Sequence, residues 1–435
     1  MSAKKPVQLS FIETSSYEDS LSDWTFSNAL TRELTHCYHD YPARMIPQVA
    51  GRLIDLFGAR AALLFDPYCG SGTSLVEASI RGIHAVGTDL NPLARLIAKA
   101  KVSTPDLDAL EHQVMLFNRF ALGEKERRRR LPDKFEVHGI SNLEFWFKTA
   151  VIEKLFEIRE FVESITDENI RLFFQVALSE TVRESSNTRS KEFKLYRYSE
   201  DKLSQFNPDV YGIMAGKLHR NLQGYKQYKA LIANLREPPS VNIYDFNTVE
   251  GIPQALVQDE SVDVVVTSPP YGDSGTTVAY GQYSRLSAAW LELEEPHKID
   301  RKLMGARAIS DAVVFPSRAL NQAIEQVRQA DEKRARHVTS FYSDLQSSIS
   351  NVAKVVKRGG YVCYVVGNRK VKGVVLPTDI AIRDFFENRG FVHVNTFTRA
   401  IPNKRMPSKN SPTNEAGVLD STMTQEYIVV MKRAC

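Results

Sequence analysis

Short apolar runs that end in small-residue turns alternate along this chain with stretches of helical spacing. Leu63, Leu64 and Phe65 read as the end of a buried strand. Asp66 to Thr73 then form a turn, and Leu75 to Ile80 have helical spacing. After Gly82, the residues Ala85, Val86 and Gly87 read as a second strand ending at Asp89. Ser240 to Asp245 predicts a third strand, Val262 to Val266 a fourth, and Tyr361 to Val366, behind the Gly359-Gly360 turn, a fifth. Val352 to Val356 makes a helix face, and Ile380 to Phe386 a helix with Gly390 as its cap. Phe391 to Val394 begins another strand, and Glu426 to Met431 is the last. Strands separated by helices in this way predict an α/β, doubly wound sheet.

A very long stretch separates the second strand from the third. It reads as mainly helical, with candidate helices at Leu107 to Leu122, Ile152 to Ile165, Leu172 to Val182 and Ile213 to Leu235. Phe145-Trp146-Phe147 lies among them and reads as core. Ahead of the first strand, Ile46, Val49, Leu53, Ile54 and Phe57 share one side of a helix, and residues 1–25 read as polar and loosely ordered. The expected division is 1–104 as the first half of the sheet domain, 105–238 as a helical inserted lobe and 239–435 as the second half.

Composition narrows this picture only a little. A chain of 435 residues can bury a large core beside a second lobe. Its 43% apolar and 25% charged residues are those of an ordinary soluble protein. A formal net charge of +4 is compatible with nucleic acid without pointing to it. Cys37, Cys69, Cys363 and Cys435 show no metal-ligand spacing, so no metal is expected. No apolar run reaches membrane-spanning length, and the start MSAKKPVQLSF lacks the apolar centre of a signal peptide. A reduced, cytoplasmic protein with no membrane contact is the expectation.

Two turns carry candidate chemistry. In the first, Gly70 and Gly72 let the backbone turn tightly and approach a ligand. Asp89, about 20 residues on, can accept both hydroxyls of a ribose. The turn departs from GxGxxG in beginning with an acid, Asp66, where a pyrophosphate would be repelled. An acid there suits a ligand with a positive group, such as the amino acid portion of S-adenosylmethionine. A glycine-rich turn by itself can also do no more than tighten a packing corner. In the second, Thr267-Ser268-Pro269-Pro270-Tyr271 follows the fourth strand. Two prolines fix the backbone at the strand's carboxyl end, where a doubly wound sheet puts its substrate.

Asp66 to Thr73, DPYCGSGT, together with SPPY at Ser268 to Tyr271, resembles the amino-methyltransferases that act on nucleic acid. The resemblance covers roughly 40–100, 240–290 and 350–432. It implies a mostly parallel, seven-stranded sheet with an antiparallel last pair and S-adenosyl-L-methionine as cofactor. Asp66, Pro67, Tyr68, Cys69, Gly70, Ser71, Gly72 and Thr73 would form the cofactor turn, with Asp89 on the ribose, Leu90 on the adenine and Asp245 near its amine. YPARM resembles the family's upstream motif, which makes Tyr41, Pro42 and Arg44 candidates for the methionine end. Ser268, Pro269, Pro270 and Tyr271 would be catalytic: serine hydroxyl and proline carbonyl accept from an exocyclic amine, and the tyrosine stacks on a flipped base. Serine at the head of this motif usually accompanies cytosine N4, whereas Asp or Asn accompanies adenine N6. The motif order resembles the α group, although the insertion here falls before the third strand rather than after it.

These readings imply a site-specific DNA methyltransferase acting on cytosine N4 in double-stranded DNA, with a companion restriction endonuclease as a further partner. An adenine N6 enzyme, an RNA amino-methyltransferase and a non-catalytic cofactor-binding subunit stay open, as does the oligomeric state. Basic residues interleaved with aromatics make Arg183, Arg189, Lys191, Lys194 and Arg197 candidates for DNA contact. Lys404, Arg405 and Lys409, in a long basic loop near the end, join them. The Glu124 to Arg130 run reads as a solvated helix end.

Overall fold

The computed structural model describes residues 23–123, 135–189, 192–272, 279–294, 299–306, 313–401, 409–410, 420–421 and 423–435. Its centre is a seven-stranded sheet built from β1 (Leu63–Asp66), β2 (His84–Thr88), β3 (Val241–Tyr244), β4 (Val262–Thr267), β5 (Val356–Val366), β6 (Phe391–Ala400) and β7 (Gln425–Arg433). The spatial order is β3-β2-β1-β4-β5-β7-β6. β1 to β5 run parallel, and β7 pairs antiparallel with both β5 and β6. The doubly wound sheet with a reversed last pair is as the sequence implies.

Successive side chains of these strands point to opposite faces, which gives the sheet two apolar layers. Leu64, Val264, Val266, Cys363, Val365, Ile428 and Val430 pack on one face, against Val49, Leu53 and Ile54 of α1 (Pro47–Phe57) and Leu75 of α2 (Thr73–Ser79). Phe65, Val265, Val362, Tyr364, Val429 and Met431 pack on the other. A strand buried on both faces must read as an unbroken apolar run, which is why β4 was legible. β5 is longer than its sequence signal: it begins at Val356, and the register slips between Val262 and Val264 opposite Gly359-Gly360. Those glycines form an irregularity inside the strand rather than a turn ahead of it.

α3 (Pro92–Val102) leads from β2 into the helical insertion, whose long members are α4 (Leu107–Leu122), α5 (Thr149–Glu163), α6 (Glu168–Ser185) and α7 (Val210–Ile232). One continuous apolar cluster joins Leu93 and Ile97 of α3 to these helices and to Tyr283, Leu286 and Trp290 of α8 (Tyr280–Trp290). Helix α8 follows the proline-proline turn, so the insertion packs on both halves of the sheet domain. α9 (Arg318–Ala330), α10 (Glu332–Val355) and α11 (Thr378–Glu387) cover the other face. Of the aromatic triplet expected in the core, Phe147 is fully buried and Trp146 half-buried, but Phe145 is 41% exposed. The helix there spans only Leu143–Trp146, too short to bury consecutive positions, and Arg197 Cζ covers the Phe145 ring at 4.7 Å.

Trp290 is fully buried, with its ring 5.7 Å from Phe147 and 5.0 Å from Phe156 of the insertion. Trp290→Ala should therefore cost about 3–5 kcal/mol. Urea unfolding followed by circular dichroism should show one transition, moved to lower denaturant. Separate transitions for insertion and sheet would contradict the shared core.

Candidate functional site

β1 and β4 are neighbours in the sheet, so the turns that follow them open at the same edge. Gly70 and Gly72 have φ of +47° and +78°, and a Cβ at Gly72 would come within 2.9 Å of Ala98 Cβ. That close approach to α3 fixes the turn from behind. In front, Gly70 N donates to Asp89 Oδ2 at 3.0 Å and Asn91 N to Asp89 Oδ1 at 2.8 Å. Burial raises the Asp89 carboxyl, and these amides oppose it. Each oxygen keeps acceptor capacity for a further partner.

The two turns border one shared cavity. Twelve of the expected cofactor residues line it: Tyr41, Pro42, Arg44, Asp66, Pro67, Tyr68, Cys69, Gly70, Ser71, Thr73, Asp89 and Leu90. Ser268 and Pro270 join them. Gly72 faces Ala98 instead, and Pro269 is absent from the lining. Asp245 is corrected: it is exposed and lines an adjoining cavity, while the next residues, Phe246, Asn247 and Thr248, reach the first. β3 ends at Tyr244, one residue before the expected acid. Asn91, Tyr280, Lys302, Leu303 and Met304 also line it and were not foreseen. Asn91 Nδ2 donates to the Tyr41 hydroxyl at 2.9 Å and to Ser284 Oγ at 2.7 Å, and the Tyr41 ring stacks on Tyr280 at 5.9 Å. An Asn-Pro pair reads as a helix start, which conceals this second use.

Asp66 is 3% exposed, and its carboxyl serves the protein before it serves any ligand. It accepts from Ser74 Oγ of α2, from Tyr68 N at 3.1 Å and from Thr267 Oγ1 at 2.5 Å. Burial pushes it up to about 6, against the opposing effect of those hydrogen bonds. Arg44 also does structural work: its Nη1 donates to the carbonyls of His36 and His39 at 2.8 and 3.2 Å. Burial holds the Cys69 thiol well above its ordinary value, so it stays protonated.

Ser268 Oγ donates to the Val365 carbonyl at 3.0 Å and lies 3.2 Å from the Tyr271 hydroxyl. Tyr271 is turned from the cavity: its hydroxyl donates to Glu426 Oε1 at 2.9 Å, and its ring lines a separate small cleft with Phe341 and Tyr342.

Of the DNA candidates, Arg189 and Lys194 are exposed, on a loop closed by a bridge between Thr188 and Arg197. Arg183 is corrected. It is 5% exposed, donates to the carbonyls of Tyr283 at 2.7 Å and Glu192 at 3.1 Å, and lies 3.7 Å over the Tyr283 ring. Such a guanidinium ties α6 to α8 rather than facing solvent. Arg197 is half-buried and paired with Glu200 at 2.5 Å. Lys191, Lys404, Arg405 and the 124–130 run lie outside the described residues, and Lys409 falls on the two-residue strand Lys409–Asn410.

A seven-stranded sheet in this order, with its last pair reversed, is a methyltransferase fold. The type II methyltransferase M.MvaI of Kocuria varians is 38% identical over 428 residues, which cover 94% of this chain and 93% of the relative. M.BsoBI of Geobacillus stearothermophilus, also a type II methyltransferase, is 19% identical over 424 residues, covering 83% and 80%. A solved rRNA methyltransferase from Streptomyces viridochromogenes aligns with 91% of this chain and 88% of its own at 10% identity. Its TM-score of 0.32 is too low to bear on function. No protein-family model matches. The chain belongs to the type II methyltransferases.

The cofactor of this enzyme is S-adenosylmethionine, and the cavity suits it. Asp89 offers two fixed carboxylate oxygens to a diol, Leu90, Phe246, Leu303 and Met304 offer apolar walls to a ring, and Asp66 offers an acid to an ammonium. A cation bound beside Asp66 favours its ionised form, so affinity for S-adenosylmethionine should hold above about pH 6 and weaken below it, by up to about tenfold per unit. The cofactor-free fold carries the opposite linkage. Between 3.8 and about 6 the folded carboxyl holds a proton that the unfolded one has lost, so stability falls as pH rises through that window. Calorimetric titration across these pH values checks the first, and Asp66→Asn should flatten the profile. An affinity independent of pH would contradict the assignment.

Proposed function

We propose that this chain is a DNA methyltransferase that transfers the methyl group of S-adenosylmethionine to N4 of cytosine in a duplex site. The observation that carries this reading is Ser268 at the edge of the cofactor cavity with its hydroxyl proton engaged by the protein. An exocyclic amine is a poor nucleophile because its lone pair is delocalised into the ring. Acceptors that draw on its N–H bonds favour the pyramidal nitrogen of the transition state. Ser268 Oγ, with its lone pairs left over, and the Pro269 carbonyl supply two such acceptors. When bound, S-adenosylmethionine supplies the electrophilic methyl on its sulfonium. The rigid Pro269-Pro270 turn fixes where the amine must sit relative to it. Serine at the head of the motif supports cytosine over adenine, and the type II relatives support DNA as the substrate. The helical insertion is the proposed target-recognition lobe, with its 187–197 loop facing phosphates through Arg189 and Lys194. Tyr271 would stack on the flipped base with its hydroxyl still held by Glu426.

Incubating the protein with tritiated S-adenosylmethionine and separate pools of unmethylated DNA and RNA should label DNA alone. Nucleoside digestion and mass spectrometry should then find N4-methylcytosine. N6-methyladenine, or label confined to RNA, would contradict the proposal. Ser268→Ala should slow transfer about 10²-fold, the usual cost of losing one well-aimed hydrogen-bond partner, with cofactor affinity unchanged.

Neutralising Arg189 and Lys194 together should weaken DNA binding and reduce the log–log salt slope by about 0.9 for each phosphate that the protein no longer neutralises. Fluorescence anisotropy over a salt series measures this. An unchanged slope would put the DNA elsewhere on the protein.

A further inference from the structure

The antiparallel pair at the end of the sheet carries two charges beside its buried strands. Arg399 of β6 and Glu426 of β7 are register partners, and Arg399 is 6% exposed. Its Nη1 lies 2.5 Å from Glu426 Oε2, and its Nε donates to the Trp24 carbonyl at 3.1 Å. An ion pair in so dry a position stabilises little by itself, because desolvation offsets most of the attraction. What distinguishes this one is the use of the other carboxylate oxygen. Glu426 Oε1 accepts from the Tyr271 hydroxyl at 2.9 Å, and the Tyr271 oxygen lies 3.2 Å from Ser268 Oγ. Gly367 keeps the room that the ring needs: a Cβ there would come 1.9 Å from Met423 Sδ and 3.1 Å from Tyr271 Cδ2.

Counting protons gives this chain of contacts a direction. A carboxylate facing a guanidinium only accepts, so the single phenol proton of Tyr271 is committed to Glu426. The single proton of Ser268 then has two acceptors, the Val365 carbonyl and the Tyr271 oxygen, and both belong to the protein. Lone pairs are what Ser268 has left to offer a substrate. Were the Tyr271 proton released, it could turn to Ser268 Oγ and occupy the position that an amine N–H needs.

We propose that Glu426 and Arg399 are positioning residues for methyl transfer, holding the Tyr271 proton so that Ser268 Oγ stays a hydrogen-bond acceptor for the target amine. This rests on the reading of Ser268 given above. Neither residue touches the cofactor cavity, and they act through Tyr271.

The test compares Glu426→Gln, Tyr271→Phe and the double variant in single-turnover methylation of unmethylated genomic DNA at saturating S-adenosylmethionine. Glu426→Gln should lower the rate about tenfold, near the worth of one charge-assisted hydrogen bond, with Kd for S-adenosylmethionine unchanged. Because Tyr271→Phe removes the very proton that Glu426→Gln releases, the double variant should be faster than Glu426→Gln and match Tyr271→Phe alone. Glu426→Asp, which draws the carboxylate back from the phenol, should show the same loss and the same recovery if Glu426→Gln fails to fold. A wild-type rate in Glu426→Gln, or a double variant as slow as Glu426→Gln, would overturn the proposal. A wild-type protein that binds cofactor but labels no DNA would overturn the functional reading, and this one with it.

Discussion

One buried carboxyl couples the two halves of this site. Asp66 ends β1, and its oxygens collect the hydroxyl of Ser74 from α2 and that of Thr267, the residue just before Ser268. The glycine turn is thereby fastened to the proline-proline turn across 201 residues of sequence. Removing such a group from water is costly unless its hydrogen bonds are made, and here they are made to the segments whose spacing matters. The carboxyl's raised pKa is the sign that burial outweighs those bonds. The same carboxyl that lines the cavity also holds Thr267, and with it the start of the Ser268 turn, at a fixed distance.

The sheet supplies the rest of the alignment. Pairing of β4 with β5 sets Thr267 opposite Tyr364 and brings the Val365 carbonyl to Ser268. The reversed strand β7 then delivers Glu426 to Tyr271 from the far side. On the near side, α8 returns Tyr280 to the wall of the cofactor cavity and Tyr283 to the insertion. The insertion thus shares apolar core with the helix that borders the cavity. A lobe anchored in this way holds its position relative to the cavity.

Most of the frame was legible because its signals are local. Gly70 and Gly72 announce a left-handed turn, two prolines stop β4, and unbroken Val-rich runs mark strands covered on both faces. The residues that escaped depend on contacts between distant segments. Thr267 reads as the first residue of the turn after the fourth strand, and only the closeness of β1 makes it a partner of Asp66. Glu426 and Arg399 look like ordinary polar positions of an edge pair until register sets them opposite each other. Arg183 misled for the converse reason: in a run of charges and small polar residues it resembles a solvated cation. Only the fold reveals that Tyr283 and two carbonyls enclose it. Asp245 was displaced by a single residue, because the end of β3 decides which side chain faces the cavity and composition does not fix that end.

The most direct test is a crystal structure with S-adenosylhomocysteine, the demethylated cofactor. The account predicts both ribose hydroxyls within about 3 Å of the two Asp89 oxygens, the amino group beside Asp66, and the sulfur on the side of the cavity lined by Ser268. A ligand seated instead in the adjoining cavity against Asp245, or with its sulfur turned from Ser268, would contradict it.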